Sequence, residues 1–481
     1  IVIGAMPASH ARVVRIVIDA KTSPAFPAQG GGFQNFGTAG QYETLTGRAF
    51  GELDPRDPRN ALIQDIALAP RNERGKVEYV ASFQLVKPVD MSRASGLMWH
   101  DVPNRGGRIT IVPAERALGD VGLSSGWQGD NSGNTVPGPA NEWVTVPVAK
   151  NHDGSPVTGK VFARIINRSG PESQRLMVQA NPFPYRPLSL DTRKARLVTH
   201  AYESVDGAIT GVTEIPPGDW AWARCNDTDN RFPGTPDPTQ ICLRHGFDAK
   251  LLYQLVFTAR DPYVLGIGFA AFRDVGAFFK SAKADDAGTP NPLAAAGGMR
   301  WAISRGSSQS GNFLRGFLHL GFNQDEAGRQ VHDGMWPIIA GRRIALNFRW
   351  AQPDGVLELY QAGSEGPQWW LPHPDPVRGL PTAGILDRCT QSNTCPKIME
   401  HFGSAEVWAL KLTPEWIGTD AQQDLPLPSS VRRYYIASSN HGGGVGGFDT
   451  SAFDAVMIDS DGSMVINDQL LDSKISSLYT D

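Results

Sequence analysis

The stretch that most constrains this chain is Arg300-Trp301-Ala302-Ile303-Ser304-Arg305-Gly306-Ser307-Ser308-Gln309-Ser310-Gly311. A short, mostly apolar run leads in and reads as a buried strand. A turn of small residues follows, and Asn312-Phe313-Leu314-Arg315-Gly316-Phe317-Leu318 then spaces its apolar positions for one helical face. Strand, sharp turn and helix is the setting of a nucleophile elbow, which holds its central serine in a strained conformation with the hydroxyl in the open. Strand and helix nearly touch there, so the residues two before and two after the serine must be small. Gly306 and Ser310 meet that demand around Ser308. Ser310 as the nucleophile would need Ser308 and Asn312 as flankers, a poorer fit. Bare Gly-x-Ser-x-small patterns are common by chance, and the flanking strand and helix set this one apart.

A serine hydroxyl is a poor nucleophile at neutral pH and needs a general base, which in turn needs an orienting acid. In enzymes built on such an elbow the chain order is serine, carboxylate, histidine. That order reduces the histidines to His319, His332, His373, His401 and His441. His319 falls on the helix after the elbow and His401 inside a predicted strand, positions for packed or surface residues. His332 leads into a strand, at the wrong end of the sheet. His373 sits in the loop Leu371-Pro372-His373-Pro374 and stays open as an alternative. His441 directly follows the last predicted strand, in Ser438-Ser439-Asn440-His441-Gly442-Gly443-Gly444, a loop able to carry an imidazole to the serine.

The acid should leave the preceding strand, and Glu406 in Phe402-Gly403-Ser404-Ala405-Glu406-Val407-Trp408 occupies that place. Glu400 lies within that strand and Asp333 ahead of its own, while Asp354 and Asp387 remain alternatives. A further strand, Gly96 to Val102, ends in Pro103-Asn104-Arg105-Gly106-Gly107. The backbone N–H of Arg105 or Gly106, with that of Gln309, would form the oxyanion hole. Trp127 and Asn104 are the candidate substrate contacts. This chemistry requires no metal and no organic cofactor.

Around this centre, Arg12–Ile18 and Val77–Leu85 read as strands, with a Gly-rich loop from Gly30 to Gly40 between them. Gly122–Asp130 reads as a strand running into a loop on the site's side. From about 131 to 250 the chain is rich in Pro, Gly and Asn with short β-like runs at Val161–Ile166, Arg175–Val178 and Ala195–His200. We read residues 131–250 as a β-rich insertion or cap between two parts of one main domain, 1–130 and 251–481. Asp261-Pro262 opens a helical stretch to Phe279 that contains Gly266-Ile267-Gly268-Phe269-Ala270-Ala271, a formal dinucleotide fingerprint. No clean strand feeds it, and Asp285 and Asp286 lie in a polar loop, so close packing of helix on sheet explains its glycines better. Met335–Ala340, Pro396–Phe402 and Val431–Ala437 are further core strands. Strands alternating with helices on either side of the elbow predict a mostly parallel α/β sheet with helices on both faces.

The formal net charge of −4 gives no basic footprint for nucleic acid, and Tyr263–Phe272, the longest run of low polarity, is too short for a membrane span. A soluble protein with a small-molecule substrate is the expectation. Cys225/Cys242 and Cys389/Cys395 form two sequence-local pairs in polar loops. Three connectivities are possible, of which nearest-neighbour pairing is the simplest. Unpaired cysteines fit exposed loops poorly, which favours an oxidising, secreted or periplasmic location. A disulfide closing a loop of roughly fifteen residues contributes ~3 kcal/mol in the chain-entropy model. The start at Ile1 without a methionine is consistent with a processed or trimmed N-terminus.

The chain also resembles a known family, the bacterial alpha/beta hydrolase domain proteins. The matching stretches are Gly47–Pro55, Val102–Gly106, Gly126–Asp130, Gly306–Gly311 and Asp333–Trp336. Ser404-Ala405-Glu406-Val407-Trp408 is similar to that family's Ser-Ser-Glu-Tyr-Trp segment, and Asn440-His441-Gly442 to its Gln-His-Gly. The resemblance covers roughly residues 12 to 445. It implies an α/β-hydrolase fold and a serine hydrolase with Ser308, Glu406 and His441 as triad. The chain departs from the family at its end: Phe448 to Asp481 is polar and Asp/Ser-rich where relatives close with a Leu- and Trp-rich helix. The leading expectation is a carboxylic ester hydrolase acting through an acyl-enzyme. The same triad would serve an acyltransferase. A non-catalytic scaffold gripping a ligand with Trp127 and Trp369-Trp370 is the alternative from another class.

Overall fold

The structure is a computed structural model that describes residues 12–131, 141–165, 168–176, 185–203, 209–341, 348, 350, 366–377, 379–408, 412, 414–420, 422–436, 441, 456–458 and 464–466. The alternative acid Asp354, the glycine loop 442–444 and most of the segment after 448 lie outside them, as do Ile166, Val178 and Ala437 at the ends of expected strands.

The elements that build and position the site are β1 (Arg12–Thr22), β2 (Tyr42–Leu53), β3 (Val77–Pro88), β4 (Leu97–Asp101), β5 (Val121–Ser125), β6 (Val144–Thr145), β7 (Thr158–Ile165), β8 (Arg196–His200), β9 (Leu252–Arg260), α1 (Ile267–Ser281), β10 (Trp301–Ser307), α2 (Gln309–His319), β11 (Gly334–Ile338), β12 (Lys397–Gly403), α3 (Ser404–Trp408) and β13 (Val431–Ile436). A ten-stranded sheet runs in the order β1-β2-β3-β5-β4-β10-β11-β12-β13, with β6 beside β3. From β5 onward every neighbour is parallel. The strands before it pair antiparallel. Chain order reverses between β5 and β4. The crevice beyond the carboxyl ends of the strands beside such a switch is where open α/β sheets bind ligands.

The two faces of this sheet differ. On one, α1 and α2 bury an aromatic core in which Phe269 meets Phe313 at 4.4 Å, Phe83 meets Phe279 at 4.9 Å and Phe272 meets Phe317 at 5.9 Å between ring centres. Gly268 lets α1 lie against the Trp127 backbone, so helix packing accounts for the glycines of the fingerprint-like stretch. The helix starts at Ile267 and not at Pro262. Asp261 takes a positive φ, and the Pro262 carbonyl is drawn off to the N–H of Ala149. Among the described residues the opposite face carries only short pieces: the helix Pro113–Ala117, tied on through the Arg305–Glu115 ion pair, and the 3-10 turn Gly37–Ala39 packed beside it over Phe36, Tyr42, Val86 and Ile111. Trp301, Met399 and Tyr434 stay exposed there at 49%, 38% and 54%. Of the helices expected on both faces, the long ones thus cover one face and only short ones the other.

A second, antiparallel sheet joins β7, β8 and β9 with Thr213–Ile215 and Arg186–Pro187. It has its own apolar cluster around Trp220, Trp222, Phe247 and Phe257. Its last strand, β9, reaches residue 260, and the stretch leaves and rejoins the main sheet side by side where Val148 bridges Tyr263. Both disulfides join the nearest-neighbour pairs, Cys225–Cys242 and Cys389–Cys395, and no cysteine is free. Cys225, Cys242 and Cys389 are buried within small apolar clusters or the main core, not displayed on polar loops. No described helix is long and apolar enough to cross a membrane.

Candidate active site

Ser308 stands between β10 and α2 with φ 58° and ψ −117°, a conformation that costs a non-glycine residue energy and marks a strained turn. The turn is possible because of what surrounds it. A Cβ at 306 would lie 2.5 Å from the Ser310 carbonyl oxygen, so only glycine lets the helix start this close to the strand. The Ser308 N–H is held by the Ile338 carbonyl at the end of β11.

The Ser308 hydroxyl lies 2.7 Å from Nε2 of His441, and Nδ1 of His441 lies 2.5 Å from Oε1 of Glu406. The three expected residues therefore form one hydrogen-bonded chain. Glu406 is fully buried, and its second oxygen accepts the Gly403 N–H at 2.7 Å. That bond ties the carboxylate to the last residue of β12 and aims Oε1 at the imidazole. The His441 side chain keeps 37% of its exposure, so the ring borders solvent while its acid does not.

The remaining histidines and acids are engaged elsewhere. His332 is buried against His100 at 3.0 Å, His373 packs edge-on to Trp369, and Nδ1 of His401 accepts the Trp336 indole N–H. His319 is half-buried beside Arg388, and desolvation pushes it down to about 4. Asp333 pairs with Lys280, Asp387 accepts the Gly384 N–H, and Glu400 lies in a buried cluster with Arg433, Arg315 and Glu415. Burial and the facing Glu415 carboxylate raise Glu400 to about 7.

The loop after β4 reaches the same place. Asn104 donates from Nδ2 to the Ser307 carbonyl at 3.0 Å, and its Oδ1 accepts from Arg105 at 2.9 Å. Arg105 and Gly106 both take positive φ, 49° and 80°. Gln309 is the first residue of α2, where backbone N–H groups have no acceptor within the helix and the helix dipole favours negative charge. Its side chain donates to Gln128, which donates to Asp130.

Trp127 is 1% exposed, in ring contact with Phe269 and Phe313, and its indole N–H bonds the Pro103 carbonyl at 2.7 Å. It belongs to the core and holds the loop; the expectation of a pocket wall put it on the wrong side of that loop. Trp370 is likewise in the core, bonded to Glu400, and Trp369 is 2% exposed. Sequence reasoning missed Glu142, whose backbone N–H bonds the Gly106 carbonyl while its carboxylate takes Arg108 and Ser82. Burial raises that carboxyl to about 7 against the pull of Arg108. No local pattern marks it, since its partners come from β3 and the loop after β4.

Comparison with curated proteins and with solved structures gives no match. A family model described as an alpha/beta hydrolase domain matches residues 135–468, a span that holds Ser308, Glu406 and His441 but stops short of the Asn104 loop. The match takes in more than half of the chain, and with it the protein belongs to the alpha/beta hydrolase domain family.

Proposed function

We propose that this hydrolase-family protein is a serine carboxylic ester hydrolase. The observation that carries the reading is the unbroken chain from the strained Ser308 through His441 to the buried Glu406. With Nδ1–H donated to Glu406, Nε2 of His441 is left as the acceptor facing the serine hydroxyl. Ser308 Oγ attacks the ester carbonyl as its proton passes to Nε2, and Glu406 stabilises the imidazolium that forms. The carbonyl oxygen, now carrying the negative charge, is met by the backbone N–H of Gln309 and by that of Arg105 or Gly106. Collapse expels the alcohol, which takes the proton from Nε2. Water then attacks the acyl-enzyme by the same route in reverse and frees Ser308.

The two disulfides favour an oxidising compartment, and we infer a secreted or periplasmic protein. The antiparallel sheet of β7–β9 is the candidate cap over the substrate.

A fluorophosphonate probe tests the reading directly. The expected result is a single labelled peptide carrying the adduct on Ser308, and Ser308→Ala losing both label and turnover of p-nitrophenyl acetate. Label on another serine, or full activity in Ser308→Ala, overturns it.

A further inference from the structure

An oxyanion hole takes its donors from two segments that the chain brings together from afar, here the loop after β4 and the start of α2. Both donors must point at one oxygen within about 2.7–3.1 Å, so their separation has to be set before substrate arrives. The loop is fixed to the rest of the molecule at identifiable points. Val102 N–H bonds the Arg305 carbonyl at 2.8 Å, and the Trp127 indole bonds the Pro103 carbonyl at 2.7 Å. The Glu142 N–H bonds the Gly106 carbonyl at 2.7 Å, and the loop closes on itself through Gly107 N–H to the Asn104 carbonyl at 2.9 Å. These bonds fix where the loop lies relative to β10, the core and the segment at 142. The Asn104 side chain does something different. Its Nδ2 donates to the carbonyl of Ser307, the residue immediately before the nucleophile, while Oδ1 accepts the guanidinium of Arg105, the next residue of the loop.

We propose that Asn104 is a positioning residue that sets the spacing between the two oxyanion donors by tying the loop to the elbow itself, and not a substrate contact. The inference rests on the proposed serine-hydrolase reading. The amide is the one side chain of this size that gives a donor to Ser307 and an acceptor to Arg105 at once. Aspartate keeps the shape and the acceptor but has no N–H for Ser307. Alanine removes both. A residue that binds substrate changes KM when lost, whereas one that aligns the oxyanion donors acts on the tetrahedral state and changes kcat.

The test uses Asn104→Asp and Asn104→Ala with p-nitrophenyl acetate as substrate and a trifluoromethyl ketone as the mimic of the tetrahedral adduct. Both variants should lose roughly tenfold to a hundredfold in kcat with KM within about twofold, the size of loss that misplacement of reacting groups brings. The inhibition constant for the ketone should rise by the same factor. Arg105→Ala, which frees Oδ1 but leaves the Ser307 bond, should show a smaller loss of kcat with KM unchanged, and it answers the question if the Asn104 variants do not fold. A raised KM with normal kcat would make Asn104 a substrate contact and overturn the proposal, as would unchanged kcat and ketone affinity in all three variants. If wild-type protein takes no fluorophosphonate on Ser308, the hydrolase reading itself has failed. If wild type is labelled and active while the variants match it, only the role of Asn104 falls.

Discussion

Ser125 and Ser308 each stand at the C-terminal end of a strand with a histidine Nε2 in hydrogen-bonding reach, 2.8 Å for His100 and 2.7 Å for His441. Beyond the imidazole the two chains diverge. His441 ends on the Glu406 carboxylate, whereas Nδ1 of His100 meets Nε2 of His332 at 3.0 Å. His100 lies flat on Phe272 with 3.7 Å between ring centres, and both imidazoles are buried completely. Burial holds His100 well below its usual range and pushes His332 down to about 3, so both are neutral. Nδ1 of His332 has no hydrogen-bond partner among the described residues. Leaving a bare acceptor there costs less than leaving an N–H, which places the His332 proton on Nε2 and the His100 proton on its own Nε2, facing Ser125. His100 therefore donates to its serine, and His441 accepts from its own. A serine beside a histidine does not make a nucleophile. It takes an anion at the far nitrogen to set the tautomer, and a strained turn that lifts the hydroxyl out of the sheet.

The comparison is broken most sharply by exchanging which serine is removed. Ser125→Ala should leave kcat for p-nitrophenyl acetate within about twofold and lower stability by about 1 kcal/mol through the lost hydrogen bond. Removing the nucleophile of such a triad typically costs upwards of ~10⁴-fold. If Ser125→Ala abolished turnover, the two chains would have been assigned the wrong way round. Glu406→Gln comes next in size. It keeps the volume at a buried site but trades the anion for a dipole, and kcat should fall by roughly 10³–10⁴-fold while Ser308 still takes a phosphonate at a reduced rate. Activity near wild type in Glu406→Gln would mean that the carboxylate does not set the His441 tautomer.

The difference between these two chains is also a measure of what the sequence discloses. The elbow was legible because Gly306 and Ser310 answer a local steric demand, and the strand–helix pattern around them is local too. The placement of Glu406 and His441 after successive strands followed from chain order alone. The His100–His332 pair was not legible, because 232 positions separate two residues whose local patterns say only strand and lead-in. Strand β2 falls in the stretch up to about residue 90 that reads as strand-like, but its bounds are hidden because Gly47 and Gly51 break its apolar alternation. They are small to admit the rings of Phe83 and Tyr79 from the neighbouring strand, a reason visible only once β2 and β3 are paired. Trp127 shows the same limit from the other side, since an aromatic beside a glycine loop reads equally as pocket wall or as core. The thin cover of the second face depends on which connections are short, and nothing local marks Pro113–Ala117 or Gly37–Ala39 as that cover.

The buried pair makes a prediction of its own in stability as a function of pH. In the unfolded chain both histidines titrate near 6.5, whereas in the folded state His332 takes a proton only near 3 and His100 well below its usual value. Between those limits the unfolded state binds more protons, so the pair's contribution to stability is whole above about pH 6.5 and is lost as pH falls, at ~1.4 kcal/mol per pH unit for each proton. The total curve will not show this cleanly. Glu142, Glu326 and Glu400, each raised to about 7 mainly by burial, bind protons in the folded state first and pull the other way in the same range. The informative quantity is the difference between wild type and His332→Leu in urea denaturation across pH 7 to 4. That difference should shrink on acidification, because the variant has lost one of the two groups that resist protonation. A His332→Leu curve parallel to wild type would mean that the folded protein protonates His332 as readily as the unfolded chain does, and the contrast between the two serine–histidine chains would lose its physical basis.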